Sequence, residues 1–401
     1  MKKSEAQRHR RTEAPEGARP ERRSTRAPEG ERPSILGVVP YQAKQLLGEW
    51  LKEKGQPSYR LNQIVPRLWQ RPVRAWADAT ELPADLRKAL QADWPLDHLA
   101  LGIRQDSQDG TQKFLWRLAD GEAIESVMIP DRDRRTLCIS SQAGCPLRCG
   151  FCATGTMGLH RNLAAWEIAG QVREMLLQEG AQKPTNVVFM GMGEPLLNWD
   201  NVDTALTILN DKDGIGIGAR HITVSTVGII PAMKHLAARP EQFRLAISLH
   251  APTSATRLTI MPIEKRYALA EVLKAAKAFK RRITFEYVLI EGVNDRDEDV
   301  AELARLARDS AALVNLLPLH PGGGDPELKP SPKRRQHGFV EKLKRKGVEA
   351  VLRRSRGLDI DAACGQLRIA SERDALEVAP QSHGDVYHAG RLDRGPDSSQ
   401  A

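Results

Sequence analysis

Three cysteines fall within eight residues, Cys145, Cys149 and Cys152, in the run SSQAGCPLRCGFC (140–152). Thiolates are soft ligands, and CxxxCxxC spacing suits three irons of a cubane iron–sulfur cluster. The fourth iron then keeps an open position at which a metal centre can meet its substrate. The competing chemistry is a zinc knuckle that recruits a further ligand such as His160. Structural zinc sites more often come as paired Cys/His ligands, which weighs against it. Five cysteines in all, an odd count with three so clustered, do not make a disulfide framework. Cys138 precedes the run, and Cys364 lies far downstream in RRSRGLDIDAACGQL (353–367), beside a glycine and after a basic approach. An isolated cysteine is most often a small buried hydrophobe, but these two contexts point to functional positions.

The elements that must position these thiols are read from periodicity. Short β-rich runs at 136–142, 186–191, 221–227, 244–250, 283–290 and 314–319 alternate with helical stretches at 164–179, 200–210, 229–238, 268–280, 297–309 and 334–346. Such alternation gives a parallel sheet of six βα units, an α/β partial barrel, whose chemistry belongs on loops at the C-terminal ends of its strands. The cysteine run follows directly on the first strand. GMGEP (191–195) ends the second, where Gly193 lets backbone approach a ligand and Glu194 can accept from an ammonium group. Ser225 ends the third, Ser248, Leu249 and His250 end the fourth, and Asn315 lies in the sixth. Any one of these could be a satisfied strand-end polar group; at successive strand ends they argue for convergence on one ligand.

The remaining chain frames this core. Residues 1–34 are rich in Arg, Glu, Pro and Gly, contain APEG twice, and are expected to form a disordered basic extension. A helical accessory domain is expected at 35–100, broken at Gly55-Gln56-Pro57. Its basic residues Lys52, Lys54, Arg60, Arg67, Arg71 and Arg74 interleave with aromatics, as an RNA-binding face or a solvated helix face would. A short β-hairpin around Asp120-Gly121 opens the 101–370 core, and a polar tail is expected at 371–401. Net charge is +9, compatible with an anionic partner such as RNA. The charged N-terminus and the lack of a long apolar run predict a cytoplasmic protein with no membrane association.

Taken together, the cluster spacing and strand-end motifs resemble the radical S-adenosylmethionine superfamily, and within it the RlmN/Cfr family of RNA adenosine methyltransferases, on the RlmN side. Shared blocks run from about 113 to 367 and include IESVMIP (124–130), RNL (161–163), HITVSTVG (221–228), FEYVLI (285–290) and Asn294-Asp295. GQPSYRLNQI (55–64) is similar too. Leu159-His160 and LHPGGGD (319–325) depart from the pattern, since the family more often has an aromatic-basic pair and an Asn-Pro at these places.

The resemblance implies a [4Fe-4S] cluster on Cys145, Cys149 and Cys152, and S-adenosylmethionine held by Gly193, Glu194, Ser225, Ser248, Leu249, His250 and Asn315. It implies two S-adenosylmethionine molecules per turnover: one methylates Cys364, and the second yields a 5′-deoxyadenosyl radical that takes hydrogen from that methyl group. The carbon radical then adds to adenine. Glu125 matches the family's proton acceptor, and Cys138 resolves the protein–RNA adduct through a transient disulfide with Cys364. Burial between Ile124 and Val127 could raise the basicity of Glu125. RlmN-type substrates are carbon 2 of an adenosine in 23S rRNA and, for many members, tRNA. The chemistry also calls for a reductant such as flavodoxin or ferredoxin. The alternatives are a Cfr-like enzyme attacking carbon 8, a radical enzyme with a protein or small-molecule substrate, and a non-catalytic zinc RNA-binding protein. Anaerobic purification should return a brown, iron-loaded protein; a colourless protein carrying zinc would favour the last alternative.

Overall fold

The computed structural model describes residues 34–320, 324–363 and 365–367. The extension expected at 1–34 lies outside them but for Ser34, and the tail at 371–401 and Cys364 lie wholly outside. From Ser34 onward the described chain forms one compact unit.

Among the described residues three α-helices come first: α1 (Pro40–Glu53), α2 (Leu61–Trp69) and α3 (Ala84–Asp93). Pro40 starts α1 at a position where its missing N–H costs nothing. Leu47, Trp50 and Leu51 of α1 and Ile64, Leu68 and Trp69 of α2 bury one apolar stripe, and the chain breaks after α1 at Gly55, whose φ is +64°. Much of the basic face is already engaged. Lys54 pairs with Asp93 at 2.9 Å, Arg67 with Glu81 at 2.7 Å, and Arg74 Nη2 donates to Leu177 O.

Among the described residues the main sheet has ten strands, which lie side by side in chain order apart from a small separate pair. Its antiparallel part is β1 (Ala100–Asp106), β2 (Gln112–Arg117) and β3 (Ala123–Asp131), which joins β4 (Arg134–Cys138). The hairpin turn falls at Gly121, with φ +88°. Beyond β4 the strands of this sheet pair in parallel, through β7 (Asn186–Phe189), β8 (Ile222–Thr226), β9 (Arg244–Ser248), β10 (Thr284–Leu289), β11 (Leu313–Pro318) and β12 (Ala350–Leu352). Between these strands stand α5 (Ala165–Leu176), α6 (Trp199–Asn210), α7 (Ile230–Ala238), α8 (Ser254–Ile260), α9 (Leu269–Ala276), α10 (Asp297–Asp309) and α11 (Lys333–Arg345). The cysteine run precedes the short helix α4 (Ala153–Met157) and is flanked by a separate two-stranded pair, β5 (Gln142–Gly144) with β6 (Leu159–Asn162).

The open α/β partial barrel is therefore present, with two refinements. A further parallel strand, β12, follows the six expected; at three residues it is too short to show a period. The first strand, expected at 136–142, ends at Cys138, and the chain leaves the sheet to build β5. Among the described residues no helix is long and apolar enough to cross a membrane.

One buried cation ties the strand ends together. Arg257 on α8 is fully buried; its Nη2 donates to Val227 O after β8 at 2.6 Å and its Nε to Leu249 O after β9 at 3.3 Å. Its Nη1 meets Glu264 Oε2 at 2.5 Å, and Glu264 Oε1 in turn accepts from Leu269 N at the start of α9. Removing one member of such a pair strands the other's charge inside the protein. Arg257→Met should therefore destabilise the fold by about 3–5 kcal/mol, seen as an earlier urea midpoint; an unchanged midpoint contradicts this account.

Candidate functional site

A cavity opens at the C-terminal ends of the parallel strands. Its wall includes Cys145, Cys149 and Cys152, with Gly193, Glu194, Ser225, Ser248 and His250. A larger depression, about 880 Å³, lies at the opposite ends of β10 and β11, lined by Lys277, Arg281 and Arg282 among others. It holds none of the expected site residues, and in such folds chemistry belongs to the strands' C-terminal ends.

The GMGEP loop sits against the cluster loop so closely that only glycine fits at two places. A Cβ on Gly191 would lie 2.7 Å from Ile139 O, and one on Gly193, whose φ is +96°, 2.5 Å from Gln142 Cβ. A buried polar web holds the two loops in this contact. Ser140 Oγ accepts from Met192 N and donates to Glu125 O, Gln142 Oε1 accepts from Glu194 N, and the Gln171 amide clasps Ser140 N and O. Glu194 itself stitches two strand ends, its Oε1 accepting from Leu196 N at 3.0 Å and its Oε2 from Val227 N at 2.9 Å. Burial pushes its carboxyl up to about 7, against the pull of these backbone donors.

Ser225 Oγ and Ser248 Oγ lie 3.3 Å apart. His250 adopts φ 54°, and its Nδ1 accepts from Val288 N at 3.1 Å, which leaves the ring proton on Nε2. Burial, aided by the Arg257 charge, pushes its pKa down to about 3, so the ring is neutral. It is a fixed hydrogen-bond donor, with the Phe151 ring edge-on at 4.6 Å. Leu249 is buried and contributes through its backbone, its carbonyl accepting from Arg257. Asn315 does not line the cavity; its Nδ2 donates to Glu286 Oε1 at 3.1 Å, and Glu286 does line it.

Sequence reasoning missed Glu286 and Arg257. The signal for Glu286 was an acid in the middle of the apolar strand TFEYVL, where a charge has no packing reason to be.

Cys138 and Glu125 stand apart from this wall. Cys138 ends β4, with Val127 of β3 and Val188 of β7 as register partners. Glu125, two residues from Val127, shares that face of the sheet diagonally from Cys138. Glu125 is 4% exposed, and Lys113 Nζ lies 3.4 Å from its Oε1, giving the carboxylate a counter-charge. Cys364 lies outside the described residues, but Gly365 after it lines the cavity, Gly365 O accepting from Ala153 N and Leu367 O from Thr154 Oγ1.

The donor set fits an iron–sulfur cluster in type and place. Three thiols share one wall, and burial pushes Cys145 up to about 12 and Cys149 well above the usual thiol range, each raised further by its cysteine neighbours. Among the described residues no three ligand-type side chains already converge as a metal site, so the fit rests on the shared cavity and the softness of the donors. His160, the extra ligand a zinc knuckle would take, is instead engaged with Glu122 at 2.7 Å and stands outside the cavity wall.

Comparison with known proteins agrees with this picture. Residues 139–304 match the model of the radical SAM superfamily. The chain is 56% identical over 355 residues to the "Probable dual-specificity RNA methyltransferase RlmN" of Gemmatimonas aurantiaca, covering 88% of this chain and 98% of that one. To the protein of the same description from Heliobacterium modesticaldum it is 45% identical over 356 residues, 84% and 90% of the two chains. The crystal structure of a radical SAM methyltransferase from Sphaerobacter thermophilus superposes with a TM-score of 0.77 at 40% identity, covering 84% of this chain and 99% of that one.

Glu194 yields a pH prediction. Because its pKa is raised to about 7, the carboxyl is mostly neutral below that value and anionic above it. The ammonium group that this carboxyl is expected from the sequence to receive prefers the anion, so on that expectation affinity for S-adenosylhomocysteine rises as pH passes upward through about 7 and flattens beyond. Glu194→Gln should bind more weakly and lose that rise, as read by calorimetry; an identical pH profile in the variant would contradict the assignment.

Proposed function

The chain belongs to the RlmN family of the radical SAM superfamily, and we propose that it methylates carbon 2 of adenosine in 23S rRNA and in tRNA, in the cytoplasm. The observation that carries this reading is the shared wall. Three thiols, the strand-end groups Glu194, Ser225, Ser248 and His250, and Gly365 beside Cys364 all face one cavity.

In this reading Cys145, Cys149 and Cys152 hold a [4Fe-4S] cluster, while Gly193, Glu194, Ser225, Ser248, Leu249 and His250 hold S-adenosylmethionine, Asn315 contributing through its bond to Glu286, two molecules being used per turnover. When bound, these groups supply the methyl group and the one-electron chemistry that activates it, with a flavodoxin- or ferredoxin-like protein as electron donor. The chain's own residues do the rest. Glu194 and the neutral His250 orient the cofactor through fixed acceptor and donor atoms. Cys364 carries the methyl group on sulfur to the base. Glu125 takes the proton that leaves the adenine carbon, and its counter-ion Lys113 steadies the carboxylate. Cys138, as thiolate, then bonds to the Cys364 sulfur while the bond from that sulfur to the base-bound methylene breaks. The methylene takes up a proton to become the methyl group, one electron returns to the electron carrier, and a disulfide remains. Cys138 and Glu125 share one face of the sheet, which supports their acting on the same adduct.

The target base must leave its stack to enter a buried site, so loop or flipped adenosines are the expected substrates. Residues 35–100 serve as the accessory RNA-contacting domain, residues 101–370 as the catalytic core, and the +9 charge adds general attraction to phosphates.

Holoenzyme incubated anaerobically with reductant, S-adenosylmethionine and either RNA should yield 2-methyladenosine by mass spectrometry; 8-methyladenosine would overturn the regiochemistry. Cys364→Ala should lose product by at least about a thousandfold with iron content unchanged, and Cys138→Ala should accumulate a covalent protein–RNA adduct. Undiminished product from Cys364→Ala would sink the methyl-carrier role.

A further inference from the structure

Glu286 is a cavity group to which no role has yet fallen. It is 4% exposed, in the middle of β10, with Ser248 of β9 and Asn315 of β11 as its register partners. Residues in register on adjacent parallel strands point to the same side, so Ser248, Glu286 and Asn315 form a polar row. Asn315 Nδ2 holds Oε1. Oε2 is buried and has no hydrogen-bond partner among the described residues. A buried acceptor left unpaired is costly; this one borders the cavity, and the Arg353 charge only partly offsets the burial that raises its pKa, so Oε2 is placed to take a donor from a bound ligand.

The chemistry of that donor follows from the rest of the wall. Both Glu194 oxygens already accept from backbone N–H groups, and the Ser225 and Ser248 hydroxyls lie within reach of each other at 3.3 Å. Glu286 thus offers a carboxylate oxygen with its acceptor capacity unspent. Carboxylates that face a nucleoside cavity in α/β folds are well suited to ribose hydroxyls, whose O–H is a strong donor to a carboxylate oxygen. We propose that Glu286 Oε2 accepts a hydrogen bond from a ribose hydroxyl of bound S-adenosylmethionine, with Asn315 fixing the orientation of the carboxylate. This rests on reading the cavity as an S-adenosylmethionine site, and it adds a binding residue to that site.

The test is calorimetric binding to the reconstituted full-length protein, wild type and Glu286→Gln. The ligands are S-adenosylhomocysteine and its 2′-deoxy, 3′-deoxy and N6,N6-dimethyl analogues. Glu286→Gln should bind S-adenosylhomocysteine about 10- to 100-fold more weakly. Deleting one of the two hydroxyls should weaken wild-type binding by a similar factor and the variant's binding no further. Should the Gln variant fail to fold, Glu286→Asp, which withdraws the carboxylate by one methylene, carries the same comparison. Equal affinity of variant and wild type for S-adenosylhomocysteine overturns the proposal, as does wild-type indifference to both deoxy analogues. A variant that weakens on all ligands but still discriminates the hydroxyls has only a structural role at this position, which also overturns it. Sensitivity to N6 dimethylation that disappears in the variant reassigns the carboxylate to the adenine amino group. A wild-type protein that binds none of the ligands removes the S-adenosylmethionine reading itself, whereas intact binding without a Glu286 effect removes this inference alone.

Discussion

The site depends first on a buried guanidinium. Loops at the ends of parallel strands have no ladder partners beyond the last register pair, and their carbonyls must be satisfied by something else. Arg257 supplies that for β8 and β9 at once, through Val227 O and Leu249 O, while its own charge is met by Glu264. The donors of a planar guanidinium are fixed in a fork, so the two strand ends cannot drift apart without losing several hydrogen bonds together. The same positive charge helps keep His250 neutral, linking the integrity of the frame to the protonation of a group in the cavity wall.

A second layer acts in the same sense on the other side. Ser140 and Gln142 bind the loop after β4 to the loop after β7, and Gln171 of α5 pins Ser140, all through buried side-chain to backbone hydrogen bonds. Polar webs of this kind are costly if half satisfied and rigid if complete. Here they press two backbones into contact at Gly191 and Gly193, where any side chain would collide. The polar residues of the cavity are thus held by other polar residues that never face it.

Much of this was legible in the sequence. Alternation of apolar runs with helical periods gave the parallel sheet, and Cys145, Glu194, Ser225, Ser248 and His250 were placed at strand ends that the structure brings to one cavity. What escaped has physical reasons. Strand β12 is too short for a period, and β1 carries a bulge at Leu101/Ile103 that breaks alternation. The first barrel strand was read too long because residues 139–141 remain apolar or small after leaving the ladder. Asn315 was read as a direct contact, yet it reaches the cavity through Glu286; a hydrogen bond between side chains on neighbouring strands leaves no trace in spacing along the chain. Nothing in the spacing around Arg257 marks it out, since burial of a charge depends on tertiary partners such as Glu264.

The contacts of Gly365 and Leu367 with Ala153 and Thr154 bear on how the protein is made. Thr154 and Leu367 are 213 residues apart in the chain. At translation rates of about 5–20 residues per second, the cysteine loop emerges roughly 10–40 s before the segment that closes its wall. Throughout that interval the nascent chain presents its thiols in an open-sided loop. Access to Cys145, Cys149 and Cys152 is therefore wider before residues 365–367 are made, and docking of that segment is itself the step that closes this part of the wall.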